Sequence, residues 1–534
     1  MMEQGKFRRQ LSLLDLTFLG LGAIIGSGWL LGALGGATLA GPAAWIAWVV
    51  GAVAVMLIGL VYAELGGALP RAGGIIRYPD YSHGPLVGFL MGFAALIAYS
   101  SVAGIEAEAM RQYAQHWWPA LGWQNASGSG PTLLGWFVQA GLLTIFFLIN
   151  YWSVSVFGKI NSVWTFLKFV VPLLTVIVFF GHFHASNFTS HGFAPNGIAG
   201  IETAVATGGI IFSYLGFRQA IDFAGEARNP QRNVPLSIVL AIAIAAVLYI
   251  LLQVVFIGAV PSSALAGGWA KLNYTAPFAQ LATALGIGWM GVILYGDAVI
   301  SPSGTGNIYL SSTARVIFAW ARTKTFFPVF ARVSPKTGIP RPALWLSYIL
   351  AIMWTLPFPT WSKLVGVVSS ATVLTYIIGP ISAAALRRTA RDLYRPFRLP
   401  AMGAIAPLAF IVATLIIYWS GFSIDAWLIG LQIVLWGIYV VALRRVVPTD
   451  AVPFRQQVKS SLWLVSFYAA LWIMSYLGDK SFGGRGIIPA PWDQIVVVIL
   501  AIGAYLWGVA SALPQAEYEE HDEAEEATGA AAHV

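Results

Sequence analysis

Cysteine is absent from the chain, and charge is scarce: 10% of its 534 residues are Asp, Glu, Lys or Arg, against roughly 25% in a soluble domain. The first absence excludes disulfides, thiolate chemistry and cysteine-based metal sites. The second excludes an ordinary water-facing surface. Seven histidines add little: most fall in loops or the tail, and His182-Phe-His184 reads as solvated surface, so neither a metal nor a cofactor is expected. No stretch between apolar runs is long enough for a soluble catalytic domain, and a His-Glu-x-x-His zinc motif is lacking, so enzymatic activity is not expected. What the chain has in abundance is apolar: 58% of its residues are hydrophobic.

That apolar content is arranged in fourteen segments between residues 14 and 513, most of them long enough to cross a bilayer as helices. The basic start, Lys6, Arg8 and Arg9, runs straight into the first of them with no small-residue cleavage site, as expected of a retained span. With the N-terminus placed inside, 23 of the 30 Lys and Arg residues fall on the cytoplasmic side. That asymmetry supports an even number of spans and cytoplasmic termini. The segment after Pro514 holds seven of the 22 acidic residues and no Lys or Arg. The basic remainder fits cytoplasmic loops facing anionic lipid, not nucleic acid. The fold class expected is an all-α polytopic protein of the cell membrane.

Two of these segments are unfit to be continuous helices. Gly20-Leu-Gly22-Ala23-Ile24-Ile25-Gly26-Ser27-Gly28 places four glycines in nine residues of span one. Each costs a helix interior roughly 1 kcal/mol relative to alanine. Five spans later, Thr207-Gly208-Gly209-Ile-Ile-Phe212-Ser213-Tyr214-Leu215-Gly216-Phe217-Arg218 combines glycines, hydroxyls and a charge. An odd offset means the two enter the membrane from opposite sides, as an inverted repeat requires. An interrupted helix exposes N–H groups at the start of its second half and carbonyls at the end of its first. The former attract a carboxylate and the latter an ammonium group. Two antiparallel breaks, with Ser27 and Ser213, therefore suit a zwitterion such as an α-amino acid. The alternative is that the glycines only let helices pack closely.

Charges inside spans need reasons, since each costs at least roughly 2–3 kcal/mol on insertion scales. Lys168 is mid-span. Glu108 and Arg111, three residues apart, form a structural pair near the outer end of span three, which leaves Glu106 without a local partner. Asp297 lies well inside span eight. Glu106 and Asp297 are candidates for carrying a proton or for structural pairing. Arg218, just past the second break, either receives a second acidic group of a ligand or pairs with Asp222.

The residues around these features resemble the amino acid–polyamine–organocation transporters. The resemblance rests on Leu13-Leu14-Asp15 with the span-one glycines, on Tyr62-Ala63-Glu64-Leu65-Gly66 through Leu69-Pro70-Arg71-Ala72-Gly73-Gly74, and on Gly225-Glu226-Ala227-Arg228-Asn229-Pro230 with Asn233-Val-Pro235. Gly74-Ile-Ile-Arg77-Tyr78-Pro79, Asn150-Tyr-Trp-Ser153 and Ser301-Pro302-Ser303-Gly304-Thr305-Gly306-Asn307 narrow it to the bacterial aspartate–proton symporters within that family. The resemblance implies a five-plus-five inverted-repeat core. Residues 1–13 would be a cytoplasmic N-terminus, 14–182 and 200–390 the two repeats, 403–513 four peripheral spans, and 514–534 an acidic cytoplasmic tail. It implies substrate carboxylate at Ile25, Gly26, Ser27 and Gly28, and substrate amine at carbonyls of Ala23, Ile24 and Phe212. Ser213, Tyr214, Gly216 and Arg218 would complete the site, with Phe212 or Tyr214 as an aromatic gate. Lys168 matches a lysine that takes the place of sodium in relatives, so Lys168, Glu106 and Asp297 are the proton-coupling set. The function expected is proton-coupled uptake of an amino acid, aspartate or glutamate preferred, with exchange and non-transporting sensing as the rivals.

Overall fold

A computed structural model describes residues 11–70, 73–125, 128–152, 154–223, 227–334, 337–356, 360–442 and 452–516. The basic N-terminus and the acidic tail lie outside the described residues, as does the side chain of Asp222. Among the described residues, nine helical segments are long and apolar enough to cross a membrane, as a polytopic membrane protein requires.

The first helix, α1 (Leu13–Ile24), begins with a capping box: Ser12 accepts from the Asp15 N–H while the Asp15 carboxylate accepts from Ser12 N–H at 2.8 Å. It stops at Ile25 and Gly26, and α2 (Ser27–Ala40) starts immediately after. Next come α3 (Ala44–Ala68), a short loop helix α4 (Gly74–His83), α5 (Pro85–Ala114), α6 (Leu133–Trp152) and α7 (Val154–Phe180). The second glycine-rich stretch is also divided, into α8 (Gly197–Thr207), α9 (Ile210–Ser213) and α10 (Gln219–Asp222). Gly216 sits between the last two at φ +116°, and a Cβ there would lie 2.7 Å from the Ala23 carbonyl carbon. Only glycine meets both demands. Because α1 packs on α10 while α2 packs on α8 and α9, the two divided segments lie side by side and run in opposite directions.

Around them stand α11 (Pro230–Ala259), α12 (Pro277–Ala284), α13 (Gly288–Arg322), α14 (Arg341–Trp354), α15 (Trp361–Tyr376) and α16 (Ile378–Thr389). The pairings of α13 with α5, α11 with α3 and α15 with α5 are the largest in the molecule. The last four helices, α17 (Met402–Trp419), α18 (Phe422–Val441), α19 (Phe454–Leu477) and α20 (Trp492–Ala510), pack against one another and onto α3, α5 and α16. One feature departs from an all-helical expectation. Between α5 and α6, β1 (Gly122–Asn125) and β2 (Gly128–Pro131) pair as an antiparallel hairpin. This polar, Gly- and Ser-rich run has no apolar helical period, so a tight ribbon is its way of pairing backbone groups.

Two charged clusters outside the centre are structural. Arg387 grips Glu64 through Nε at 2.7 Å and Nη2 at 2.5 Å, and the Leu399 N–H donates to the same carboxylate at 2.7 Å. That fork ties α3 to α16 and to the chain leaving it. The expected Glu108–Arg111 pair forms at 2.5 Å with both side chains buried, and Gln139 of α6 donates to Glu108 as well.

A buried histidine joins the loop helix to the end of the chain. His83 Nε2–H donates to the Gly508 carbonyl at 2.9 Å, its Nδ1 lies 2.8 Å from Ser82 Oγ, and Leu513 N–H donates to the Ser82 carbonyl at 2.9 Å. Burial lowers the His83 pKa from 6.5 to about 4. The unfolded chain therefore takes up a proton below about pH 6.5 that the folded chain refuses until about pH 4. Stability contributed by neutral His83 is full above that window and falls as pH drops through it, by up to roughly 3 kcal/mol. Thermal unfolding of the detergent-solubilised protein between pH 7 and 4 is expected to show this loss, and His83→Gln, which keeps a donor for Gly508, is expected to flatten it.

Candidate functional site

The division of span one leaves α1 with carbonyls that lack intrahelical donors and α2 with unpaired N–H groups. The protein answers each end with a charge of the matching sign. At the end of α1, Lys168 of α7 donates to the Gly22 carbonyl and, at 2.8 Å, to Thr305 Oγ1. Thr305 of α13 lies 3.0 Å from Gly22 O and 3.1 Å from Ile25 O. A buried cation thus sits at the negative pole of α1. At the start of α2, Ser27 N–H donates to Glu106 Oε2 of α5 at 2.8 Å, placing an acid at the positive pole. Glu106 and Lys168 are within electrostatic range of each other, though each bonds the backbone of span one, and Lys168 also Thr305, rather than the other.

Next to this junction is a small cavity lined by Ala23, Ile24, Val102, Glu106, Phe212, Leu215, Thr305 and Tyr309. Its wall combines residues of both divided segments with one acid, one hydroxyl and one phenol. Ser27 Oγ accepts from Trp361 Nε1 at 2.9 Å, and the Trp361 ring meets Phe212 edge-on at 5.8 Å.

Four of the residues expected at the site line this cavity: Ala23, Ile24, Phe212 and Glu106. Ile25 and Gly26 form the adjoining turn, and Ser27 and Gly28 open α2. Ser213 bonds back to the Gly209 carbonyl at 2.7 Å, and Tyr214 reaches the Trp48 carbonyl at 3.1 Å. Gly216 packs on the Ala23 backbone. Asp297 lies two helical turns from Thr305 on the same face of α13 and accepts from Ser301 Oγ, between them, at 2.7 Å. Its charge reaches Lys168.

Arg218 is placed elsewhere. Its guanidinium is surrounded by three tyrosines, with Cζ 5.3 Å from the Tyr62 ring, 5.4 Å from Tyr99 and 4.5 Å from Tyr376. Nη2 donates to Tyr99 Oη at 2.5 Å. The Tyr99 ring is 5.5 Å from that of Tyr309, so an aromatic layer separates Arg218 from the cavity. Val102, Leu215, Thr305 and Tyr309 were not singled out from the sequence. A signal existed: Val102 is one helical turn from Glu106 and Tyr309 one turn from Thr305, so each shares a face with a polar site residue.

Comparison with known proteins places the chain in a family. A family model described as amino acid permease matches residues 11–476. The chain is 46% identical to an aspartate-proton symporter of Bacillus subtilis (strain 168), covering 97% of this chain and 99% of the relative. It is 40% identical to the glutamate/serine transporter AimA of the same organism, over 96% and 95% of the two chains. It is also 31% identical to cationic amino acid transporter 4 of Homo sapiens, over 71% and 60%. With a family match over residues 11–476 and relatives similar over nearly the whole chain, the chain belongs to the amino acid permease family.

Proposed function

We propose that the protein imports an acidic amino acid, aspartate or glutamate, together with protons. The observation that carries this reading is the cavity lined by Ala23, Ile24 and Phe212, which lies where both divided segments are interrupted and has the titratable Glu106 in its wall. Full-length similarity to relatives named for aspartate–proton symport and glutamate/serine transport supports the substrate class.

In this reading the substrate carboxylate takes the N–H groups of Ser27 and Gly28, and its ammonium group the carbonyls of Ala23, Ile24 and Phe212. Ile25, Gly26, Ser213, Tyr214 and Gly216 shape the turns that expose those groups. Lys168, Glu106 and Asp297 couple the proton. The two divided segments belong to inverted repeats spanning 14–182 and 200–390, which rock about the cavity to open it alternately. Both termini face the cytoplasm, and residues 403–513 form the outer buttress. Arg218 closes the path beneath the cavity, and a contact with substrate there requires the Tyr99–Tyr309 layer to part.

The test is uptake of radiolabelled aspartate into proteoliposomes under an imposed pH gradient, acidic outside. Accumulation that collapses when a protonophore dissipates the gradient is expected. Uptake that ignores the gradient and depends on internal amino acid would replace symport with exchange.

A further inference from the structure

Glu106 occupies the place that the proposed function gives to the substrate. Helix α2 has no side-chain cap from its own N-cap residue, Gly26. Its first N–H, that of Ser27, instead donates to a carboxylate brought from α5. The other carboxylate oxygen, Glu106 Oε1, is buried and has no hydrogen-bond donor among the described residues. It lies so near the turn that a Cβ on Gly26 would be 2.6 Å away. The same side chain lines the cavity. So a fully buried acid is held by Ser27, through its N–H and its hydroxyl, and that N–H is the one a ligand carboxylate in the cavity would need. A buried acceptor without a donor is costly when ionised, which makes the arrangement poised to change.

The groups that face Glu106 do not settle its charge by direct bonding. Lys168 from α7 directs its bonds to Gly22 and Thr305. From α13 come Thr305 and Tyr309 in the cavity wall, and Asp297, whose charge reaches Lys168. Tyr249 of α11 lies within electrostatic range and donates to the Ile24 carbonyl at 3.0 Å. Phe146 of α6 packs in the same layer, and span one contributes the Ser27 hydroxyl beside its backbone.

We propose that Glu106 is an internal stand-in for the substrate carboxylate, displaced from the Ser27 N–H only when it takes up a proton. This rests on the uptake reading above. In the empty site, ionised Glu106 accepts the Ser27 N–H. A proton from water then neutralises Glu106, the N–H···Oε2 bond weakens, and the substrate carboxylate takes the same donor. Two carboxylates cannot both hold one N–H group without bringing like charges together. Binding one substrate therefore requires binding one proton, and when the substrate leaves, Glu106 returns its proton to water and recovers the donor. The coupling is a competition for one backbone group.

The experiment measures aspartate binding to the purified full chain from pH 5 to 9, with proton uptake recorded in weak buffer. For the wild type, Kd is expected to be level at low pH and to rise about tenfold per pH unit once Glu106 is ionised, with about one proton taken up per aspartate in that range. Glu106→Gln mimics the protonated acid. It should bind aspartate with a level Kd within about threefold of the wild-type low-pH value and take up no proton. In liposomes it should exchange aspartate without accumulating it. A wild-type Kd independent of pH overturns the proposal, and this arm stands even if E106Q does not fold. A folded E106Q that keeps the wild-type slope, or that binds at no pH, also overturns it. Wild-type uptake indifferent to a pH gradient would instead remove the symport reading, whereas gradient-driven uptake with pH-independent binding would remove the competition alone.

Discussion

Lys168→Ala is expected to lower gradient-driven aspartate uptake by at least roughly thirtyfold while leaving the protein folded enough to reconstitute. The ammonium group satisfies the Gly22 carbonyl at the end of α1 and bonds Thr305, which in turn touches the Gly22 and Ile25 carbonyls. Without it, the buried Gly22 carbonyl loses its charged donor and keeps only the Thr305 hydroxyl, at a cost of about 1–3 kcal/mol, and Glu106 and Asp297 lose the cation within their range. If about 2 kcal/mol of this falls on the step that carries the loaded site across, the rate drops by that factor. Arginine is not expected to rescue. The single nitrogen is matched to the Gly22 carbonyl and the Thr305 hydroxyl, partners that a planar fork on a longer stem would not meet in the same geometry. Initial rates in proteoliposomes with and without a pH gradient decide the role. Loss of gradient-driven uptake with exchange preserved assigns Lys168 to coupling. Equal loss of both assigns it to holding the turn.

How much of this could be read from the sequence depends on which physical rule was at stake. The interruptions near Gly26 and Gly216 were legible because glycine in a long apolar run conflicts with helix propensity, and the chain divides at both places. The pairing of Glu108 with Arg111 was legible because helical geometry alone brings them together. The occupants of the helix ends were a different matter. Sequence reasoning left the α2 N–H groups and the α1 carbonyls open for a ligand, and the structure sets Glu106 and Lys168 against them. Nothing local announces that a carboxylate 79 residues away caps Ser27, since the contact is made by packing of α5. His83 was passed over for the same reason: it lies in a polar loop helix by sequence and is fully buried against α19 and α20 by tertiary contact.

Arg218→Ala is expected to cut the maximal rate of aspartate transport by about tenfold or more while changing KM and the preference for aspartate over alanine little. The guanidinium joins Tyr62 of α3, Tyr99 of α5 and Tyr376 of α15 to the second divided segment. Each cation–π contact is worth about 0.5–2 kcal/mol, and the Tyr99 hydroxyl adds a charge-assisted bond. Loss of the cage therefore destabilises, by a few kcal/mol, the conformation in which the cage is assembled. A change in the balance between two conformations alters turnover for every substrate alike, because the cavity wall itself is untouched. Arg218→Lys should behave much like alanine, since a point charge on a flexible stem does not fill a cage built for a plane. If Arg218 instead grips the substrate's second carboxylate, the signature differs in kind. KM for aspartate would rise by about tenfold or more with alanine uptake unaffected, because only the dicarboxylic substrate loses a charge-assisted partner. Steady-state uptake of the two amino acids side by side separates these outcomes, since the cage acts on the conformational step and substrate reading acts on the difference between ligands.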